Sequence, residues 1–392
     1  MQANNAKQMN YFSSDFKLGI LGGGQLGKML LTETRKFDIQ TVVLDPSAEA
    51  PSRFGCNAFY KGSLIDYDTV YQLGKMVDLL TIEIENVNLE ALEKLEEEGL
   101  PVYPSPQTLR LIQNKGKQKD FYVKHNIPTS KHQRFVGLDD LHQALNKDEL
   151  DFPFVWKSAQ GGYDGNGVQI CRSAMDLVNL PDVECLAEDM VPFKNELAVI
   201  VARSTSGEIK TYPVVEMEFH PEANQVEYVI CPARIDETVA KKAREIALKV
   251  SEAFNHVGLL AVEMFQTEND EILVNEVAPR PHNSGHYSIE ASYTSQFENH
   301  IRAILDLPLG NTDSKVAGIM VNLVGEEGYS GQVVYENIEK IMAIDGVTPH
   351  IYGKRETRPF RKMGHVTIVN EDMTEARRVA EEVKNSIKVI SI

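Results

Sequence analysis

The sequence predicts a protein of the α/β and α+β classes, with an N-terminal parallel sheet, a larger mixed domain and a small strand-rich C-terminal domain. Short apolar runs alternate with helical stretches between Phe16 and Pro106, which is the pattern of parallel strands joined by crossover helices. Strand-like segments dominate the middle of the chain, where helix-type periodicity returns at 237–254. The 392 residues are enough for several domains at roughly 100–200 residues each.

Composition and charge exclude several classes of protein. Lys and Arg total 40 against 57 Asp and Glu, which gives a formal charge of −17. Such an acidic chain repels nucleic acid, which we therefore exclude as a partner. The hydrophobic fraction of 42% and the charged fraction of 25% are typical of a globular protein rather than a disordered one. No apolar run approaches the ~18 residues of a membrane span, so we expect no membrane partner.

The cysteines and the N-terminus bear on the compartment. The four cysteines show no CxxC spacing, so the sequence signals neither a zinc ribbon nor a disulfide framework. Scattered thiols are typical of a reducing compartment, and we expect a cytoplasmic location. Residues 1–15 are polar and lack the apolar core of a signal peptide, so we expect a flexible tail.

Three domains follow this tail, at 16–106, 107–308 and 309–392. The first is predicted to contain strands at 17–21, 40–44 and 78–83 and a helix at 89–98. The prolines at 101, 104 and 106 break regular structure and mark its end. The second is predicted to contain strands at 152–157, 168–171, 258–266 and 271–277 and helices at 237–254 and 295–305. The third begins within Leu307–Gly310 and contains strands at 316–324 and 365–369.

The first glycine loop, Gly22–Gly27, matches GxGxxG between a strand and a helix, with Asp45 at the end of the next strand. This is the fingerprint of a dinucleotide site, in which the glycines allow a tight turn and the helix N-terminus attracts an anion. The overlapping GxxxxGK reading fails because Met29 stands where a Walker A loop needs a hydroxyl. Dinucleotide binding, binding of another anion and a structural turn all remain open at this loop.

A second glycine loop follows Lys157 and contains four glycines within the seven residues 161–167. So many glycines exceed the needs of a hairpin and leave N–H groups free to approach a ligand. We interpret the loop as a flap over phosphates, with Lys157 supplying a positive charge. A solvated surface hairpin is the alternative.

Two strands at 258–266 and 271–277 carry a pair of acidic residues. If Asn269 and Asp270 form a two-residue hairpin turn, Glu263 lies directly opposite Glu276. Facing carboxylates repel each other, so a cation is expected between them, and oxygen ligands with Asn275 nearby suit Mg²⁺. A register shift of one residue would instead send the two glutamates to opposite faces.

Two loops rich in polar and basic residues follow this pair. In Ala278–His286, Arg280 is a candidate anion clamp, whereas the prolines argue against a helical HxxxH metal site from His282 and His286. The segment Tyr352–His365 holds five basic residues in an acidic chain, which suggests a phosphate-bearing substrate. Solvated loops are the alternative for both.

These motifs occur in a fixed order: GGGQLG, TIEIENV, GGYDGNG, VEMF, NEVAPRPHNSGH and YGKRETRPFRKMGH. Together they resemble the ATP-grasp superfamily and, within it, the family of N5-carboxyaminoimidazole ribonucleotide synthetases of purine biosynthesis. The resemblance extends from about Phe16 to the C-terminus and implies an ATP-grasp fold with an N-terminal Rossmann-like (pre-ATP-grasp) domain. It also argues against a dinucleotide at the first loop, because in this family the glycine turn lies beside the ribonucleotide.

The ATP-binding residues that the resemblance implies all lie in the second domain. They are Lys115, Lys157, Gly162, Tyr163, Asp164, Gly165, Asn166, Gly167, Val168, Glu188, Asp189, Met190, Val191, Glu196, His220, Asn275 and Glu276. Lys115 and Lys157 are expected at the phosphates, Glu188–Val191 as the adenine hinge and Glu196 at the ribose. The implied Mg²⁺ ligands are Glu263 and Glu276.

The resemblance also implies sites for 5-aminoimidazole ribonucleotide and bicarbonate. The substrate-binding residues are Gln25, Glu83, Tyr163, Asp164, Asn283, Ser284, Lys354, Arg361 and Lys362, and the catalytic residues are Lys157, Tyr163, Asp164, Arg280 and His286. Lys354 and Arg361 are expected at the ribonucleotide phosphate. Arg280 and the Asn283–His286 turn are expected at bicarbonate.

Two positions depart from the family pattern. Val168 stands where the family usually has Gln, which loses a side-chain donor, and Lys115 stands where many members have Arg, which keeps the charge. Neither change threatens the assignment, since backbone contacts at residue 168 would survive.

The implied reaction is a two-step ligation in the cytoplasm, in which ATP phosphorylates bicarbonate and the ribonucleotide amine captures the carboxyl group. A homodimer and a transient contact with the mutase that follows in the pathway are further expectations. The rivals are another ATP-grasp carboxylate ligase, an NAD-binding oxidoreductase and a nucleotide-sensing module.

Overall fold

The structure is a computed structural model that describes residues 10–161, 167–220 and 225–392. Its strands are β1 (Lys17–Leu21), β2 (Gln40–Asp45), β3 (Ala58–Lys61), β4 (Leu79–Ile82), β5 (Val102–Tyr103), β6 (His132–Phe135), β7 (Phe154–Ser158), β8 (Val168–Cys171), β9 (Cys185–Asp189), β10 (Phe193–Arg203), β11 (Ile209–Thr211), β12 (Val215–Phe219), β13 (Val226–Cys231), β14 (Gly258–Thr267), β15 (Ile272–Ala278), β16 (Ala317–Val324), β17 (Gly331–Glu336), β18 (Val347–Ile351), β19 (Glu356–Thr357), β20 (Lys362–Asn370) and β21 (Lys388–Ser391).

The helices are α1 (Gln25–Lys36), α2 (Tyr67–Gly74), α3 (Leu89–Glu97), α4 (Pro106–Ile112), α5 (Lys115–Lys124), α6 (Leu138–Asn146), α7 (Glu237–Phe254), α8 (Ser288–Ala291), α9 (Gln296–Ile304), α10 (Ile338–Met342) and α11 (Met373–Ser386). Short 3₁₀ helices occur at Pro51–Phe54, Ala174–Leu177 and Asn283–Gly285. No helix in these described ranges has both the length and the apolar character needed to cross a bilayer.

The N-terminal sheet is parallel and has the strand order β3-β2-β1-β4-β5. Its alternating side chains form two cores, because successive residues of a strand point to opposite faces. One face packs against α2, α3 and α4, and the other packs against α1 and against α9 from much later in the chain. The predicted parallel sheet is confirmed, and α9 fastens it to the rest of the molecule.

The largest sheet has nine strands and joins the second and third predicted domains. Its main path runs β15-β14-β10-β12-β13-β16-β20-β18, and β11 pairs with β10. The step from β13 to β16 is an antiparallel ladder in which Tyr228 faces Val321. The strands predicted at 316–324 and 365–369 therefore continue this sheet, whereas β17, β19 and β21 form a separate three-stranded sheet.

A four-stranded sheet, with the order β6-β9-β7-β8, carries the second glycine loop between β7 and β8. Its outer face packs Phe154, Trp156 and Ala187 against α6. Because side chains alternate along a strand, Lys157 and Glu188 lie on the opposite face. We call this four-stranded unit the lid sheet.

Two buried histidines lie near the junction between the N-terminal sheet and the nine-stranded sheet. His300 of α9 hydrogen-bonds through Nε2 to Thr81 Oγ1 of β4 at 2.9 Å, and its Nδ1 accepts the Leu259 N–H at 3.3 Å. Burial, with a smaller contribution from the nearby His256, lowers the pKa of His300 to about 3. This histidine is therefore neutral in the folded protein.

We predict that acid destabilises this junction. A histidine with a depressed pKa binds a proton more readily in the unfolded chain, so its contribution to stability is present above pH 6.5 and is lost as the pH falls toward 3. Between pH 6.5 and pH 5 the loss from His300 is about 2 kcal/mol. Urea unfolding at both pH values measures it. In the His300→Gln variant the decrease should be smaller by this amount, and an identical decrease in both proteins would contradict the assignment.

Candidate active site

The hairpin of β14 and β15 places Glu263 opposite Glu276, as predicted, although by a different route. The turn is a three-residue loop closed by the Thr267 N–H to Glu271 C=O hydrogen bond, with Asp270 in the left-handed region at φ 59°. The predicted two-residue turn is therefore wrong. Next to the turn the strands pair one residue out of the predicted register, and a β-bulge at Asn275 restores it before Glu263.

Positive groups surround this pair of carboxylates. Lys115 Nζ, at the start of α5, forms an ion pair with Glu276 Oε2. The Lys115 ammonium lowers the pKa of Glu276, whereas burial, together with the Glu276 and Glu196 carboxylates, raises the pKa of Glu263. The two acids are thus unequal: Glu276 is held ionised, and Glu263 gains most from a bound cation.

His282 is a member of the site that the sequence analysis gave no role. Its Nε2 lies 3.2 Å from Glu263 Oε1, and its Nδ1 is hydrogen-bonded to Ser284 Oγ at 2.9 Å. The loop after β15 thus turns back toward β14. Short-range sequence patterns exclude a helical HxxxH site but do not show this return.

Lys157 points from the lid sheet toward the same hairpin. Its Nζ donates to Asn275 Oδ1 at 3.0 Å and lies 3.1 Å from Glu188 Oε1. The extra residue of the bulge therefore carries the amide that contacts this lysine. Lys157 links the lid sheet to the carboxylate pair.

Glu188, expected at the adenine hinge, directs its side chain into an internal charge cluster. Its Oε2 accepts from Ser130 Oγ at 2.7 Å and lies 3.0 Å from Lys119 Nζ. Burial opposes ionisation of Glu188, but Lys119 and Lys157 lower its pKa. Any contact of Glu188 with adenine is therefore left to its backbone at the end of β9. Lys119 was missed because the sequence of α5 has no amphipathic pattern that would mark its buried side.

Glu196, expected at the ribose, lies on β10 beside β14. Burial raises the pKa of Glu196 to about 7; Lys157 lowers it and Glu276 raises it. These influences place Glu196 in the same electrostatic environment as the carboxylate pair.

Two other predicted ATP contacts lie on or near the lid sheet. Val168 of β8 pairs with Lys157 of β7. Of the residues that follow Glu188 in sequence, Asp189 and Met190 are exposed and Val191 is half-buried.

The first glycine loop already holds an anion, and that anion is Glu83. Its Oε1 and Oε2 accept the N–H groups of Gly24 and Gly27 at 2.9 Å each. A Cβ on Gly24 would lie 2.5 Å from Glu83 Oε1, so this close approach requires glycine. Asp45, the candidate ribose ligand of a dinucleotide site, accepts the Gly23 N–H instead. The dinucleotide interpretation is therefore wrong, and Gln25 follows this loop as the first residue of α1.

The loop expected at bicarbonate divides into a half-buried part and a buried part. Arg280 Nε lies 3.0 Å from Glu85 Oε1, and the Asn283 amide pairs with that of Asn322 at 2.9 Å. His286 is 1% exposed and hydrogen-bonds to Gln296 at 3.0 Å, and Ser284 is fully buried. Both side chains are thus enclosed in this structure, and their contacts with substrate stay a prediction.

The basic segment folds into a compact loop around β19. Lys354 Nζ donates to the Lys362 C=O at 2.7 Å, and Arg361 donates to the Glu356 C=O at 2.6 Å. A cavity of about 550 Å³ opens beside this loop, lined by residues that include Gln332, Tyr335, Gly353, Lys354 and Arg355. His220, expected at ATP, lies with its ring centroid 6.1 Å from that of Phe360 in the same loop.

Five predicted site residues lie outside the described part of the chain. They are Gly162, Tyr163, Asp164, Gly165 and Asn166. Gly167 is described and has a φ of 73°, in the region that favours glycine.

The residues around the carboxylate pair fit a hard divalent cation. Glu263, Glu276 and Asn275 offer oxygen atoms, which are the ligands that Mg²⁺ prefers. Within the described ranges, no group of three or more His, Cys, Asp or Glu side chains is arranged to hold a metal ion. Mg²⁺ is commonly bound through one or two carboxylates together with phosphate and water oxygens.

Three family models match this chain in order. A ribonucleotide synthetase preATP-grasp domain matches residues 16–113, an ATP-grasp domain matches 120–297, and a phosphoribosylaminoimidazole carboxylase C-terminal domain matches 318–379. Together they follow the N-terminal sheet, the site described above and the C-terminal strands.

Similar proteins agree with these models. The chain is 38% identical over 359 residues to N5-carboxyaminoimidazole ribonucleotide synthase of Bacillus subtilis, covering 90% of this chain and 91% of that protein. It is 40% identical to phosphoribosylaminoimidazole carboxylase of Candida albicans, of which it covers 65%. This chain thus spans about two thirds of the length of such longer relatives.

Solved structures give the same result. The crystal structure of N5-carboxyaminoimidazole ribonucleotide synthetase from Thermotoga maritima has a TM-score of 0.87 and 44% identity, and the match covers 96% of this chain and all of that one. The Aspergillus clavatus synthase in complex with ADP and 5-aminoimidazole ribonucleotide has a TM-score of 0.85 and 35% identity, covering 94% of this chain and 98% of that one. The chain belongs to the N5-carboxyaminoimidazole ribonucleotide synthase family of ATP-grasp ligases.

Proposed function

We propose that this protein is an ATP-dependent carbon–nitrogen ligase that carboxylates 5-aminoimidazole ribonucleotide in purine biosynthesis. It consumes ATP and bicarbonate and releases ADP and phosphate. Membership of the family supports this activity. The observation that carries the proposal is the facing pair Glu263 and Glu276, with Lys115 and Lys157 converging on it from two other elements.

In the first step, a bicarbonate oxygen attacks the γ-phosphorus of ATP, the bond to ADP breaks, and carboxyphosphate forms. Little covalent chemistry is asked of the protein, so catalysis depends on position and charge. Lys115 and Lys157 neutralise the transferring phosphoryl group. Mg²⁺, held by Glu263 and Glu276, supplies further charge neutralisation when bound.

In the second step, the exocyclic amine of the ribonucleotide attacks the carboxyl carbon of carboxyphosphate. The bond to the phosphoryl oxygen breaks, inorganic phosphate leaves, and the nitrogen loses a proton. Carboxyphosphate is short-lived in water, so the lid sheet and its glycine loop must exclude solvent while it exists. Arg280, whose Nε lies 3.0 Å from Glu85 Oε1, is the candidate that holds bicarbonate.

The ribonucleotide is assigned to the space between the first glycine loop and the basic segment. The proposed contacts are Gln25 and Glu83 at the glycine loop and Lys354, Arg361 and Lys362 in the basic segment. Of these, Lys354 lines the cavity described above. A phosphate needs a cluster of cationic donors, which this acidic chain concentrates here.

Location and assembly complete the proposal. The four thiols are free, which suits the reducing cytoplasm. A homodimer and a transient contact with the next enzyme of the pathway are supported by the family resemblance alone.

The decisive experiment measures ADP release with and without 5-aminoimidazole ribonucleotide, at fixed ATP, Mg²⁺ and bicarbonate. The proposed ligase should release ADP and form the carboxylated ribonucleotide in equal amounts. ATP binding without ADP release would identify a sensor instead, and release with another acceptor only would identify a different ligase.

We predict that Glu276→Gln lowers the rate of ADP formation by about a hundredfold or more, because it removes a charge that holds both Mg²⁺ and Lys115. Steady-state ADP release measures the effect. The matched control is Glu268→Gln in the exposed hairpin loop of the same two strands, which should keep near-normal turnover. Near-normal turnover of Glu276→Gln would contradict the metal assignment.

We also predict that Lys354→Ala raises the KM for the ribonucleotide about tenfold or more, because a charge-assisted hydrogen bond to its phosphate is lost. The KM for ATP should change by less than about twofold. Lys340→Ala, on an exposed position of α10, serves as the control. Equal changes in the two KM values would contradict the assignment of Lys354 to the phosphate site.

A further inference from the structure

Lys119 is a buried lysine that the proposed mechanism does not use. Only 2% of its side chain is exposed, although it lies on α5, one helical turn after Lys115. Its Nζ donates to Thr129 Oγ1 at 2.8 Å, to Ser130 Oγ at 2.9 Å and to the Val274 C=O at 3.4 Å. Fully enclosed by these partners and by Glu188, this ammonium cannot reach a phosphate.

The charges of Lys119, Glu188 and Lys157 show how Lys119 affects its neighbours. Glu188 lies between two lysines, with Oε2 at 3.0 Å from Lys119 and Oε1 at 3.1 Å from Lys157. With both lysines present, one positive charge of this trio is left over. Without Lys119, the Glu188 carboxylate would cancel the charge of Lys157 and hold its ammonium in a buried ion pair.

Lys119 also ties together the segments that carry the site. Its Val274 acceptor lies on β15, directly before Asn275 and two residues before Glu276. Thr129 donates to the same Val274 oxygen at 2.7 Å, and Ser130 donates to Glu188 of the lid sheet at 2.7 Å. One ammonium therefore connects β15, the 128–130 segment and the lid sheet.

We infer that Lys119 is a positioning residue that neutralises Glu188 and thereby leaves the charge of Lys157 available to the phosphates of ATP. The inference deepens the proposed function, since it rests on Lys157 as a phosphate ligand. Glu188 and Lys119 together position the Lys157 side chain. This role is separate from any backbone contact of Glu188–Val191 with adenine.

The test is nucleotide affinity in the purified full chain, measured for ATP and for adenosine by equilibrium titration. Lys119→Met should raise the Kd of ATP about tenfold or more, because Lys157 is captured by Glu188. The Kd of adenosine, which carries no phosphate, should change by less than about twofold. Lys117→Met, an exposed lysine of the same helix, is the matched control and should leave both constants unchanged.

A double variant separates this role from simple packing. In Lys119→Met/Glu188→Gln the carboxylate that captures Lys157 is gone, so ATP affinity should recover to within about threefold of the wild type. If Lys119 only fills space or fastens β15, the second substitution would give no recovery. Equal losses for ATP and adenosine, or no recovery in the double variant, would overturn the inference.

A second neutral variant covers the case in which Lys119→Met does not fold, which circular dichroism will show. Lys119→Gln keeps a donor for Thr129 and Ser130 and should give the same selective loss for ATP. Because the experiment measures nucleotide binding, its result does not depend on which molecule accepts the carboxyl group. A wild-type protein that binds ATP but makes no carboxylated ribonucleotide would overturn the proposed function and leave this comparison valid.

Discussion

Two like charges facing each other across a pair of strands are the constraint on which the site depends. Glu263 and Glu276 lie opposite one another in β14 and β15, where neighbouring carboxylates repel. The ladder tolerates them because positive and polar groups approach from other elements: the ammonium of Lys115 from α5, that of Lys157 through Asn275 from the lid sheet, and the imidazole of His282 from the following loop. The need for a cation at this position thus explains why distant segments converge on one hairpin.

Two parts of the molecule place an internal carboxylate among N–H groups or lysines. In the N-terminal sheet, Glu83 occupies the glycine loop and satisfies two N–H groups at the start of α1. In the lid sheet, Glu188 is placed between two lysines. Each carboxylate is held by hydrogen bonds or ion pairs, as a buried charge requires. A loop that resembles a dinucleotide site therefore has its own negative charge inside it.

Much of the fold could be predicted from local pattern, because strong periodicity reports burial directly. The bounds of β1 and α7 agree with the prediction. The opposition of Glu263 and Glu276 was predicted from a wrong turn, and it holds because the Asn275 bulge cancels the error of one residue. Lys119, His282 and the burial of His286 escaped prediction, since their partners lie far away in sequence and leave no short-range signal.

The continuity of the nine-stranded sheet has a consequence for how this chain can change. Since β16 hydrogen-bonds to β13, strands of the C-terminal domain belong to the same sheet as the carboxylate hairpin. A chimaera that exchanges this region between distant relatives would have to reproduce the hydrogen bonds between β13 and β16. Otherwise two unpaired strand edges would be exposed, and such edges promote aggregation. The basic segment and the carboxylate hairpin are thus carried by one continuous sheet, which sets the spacing between them.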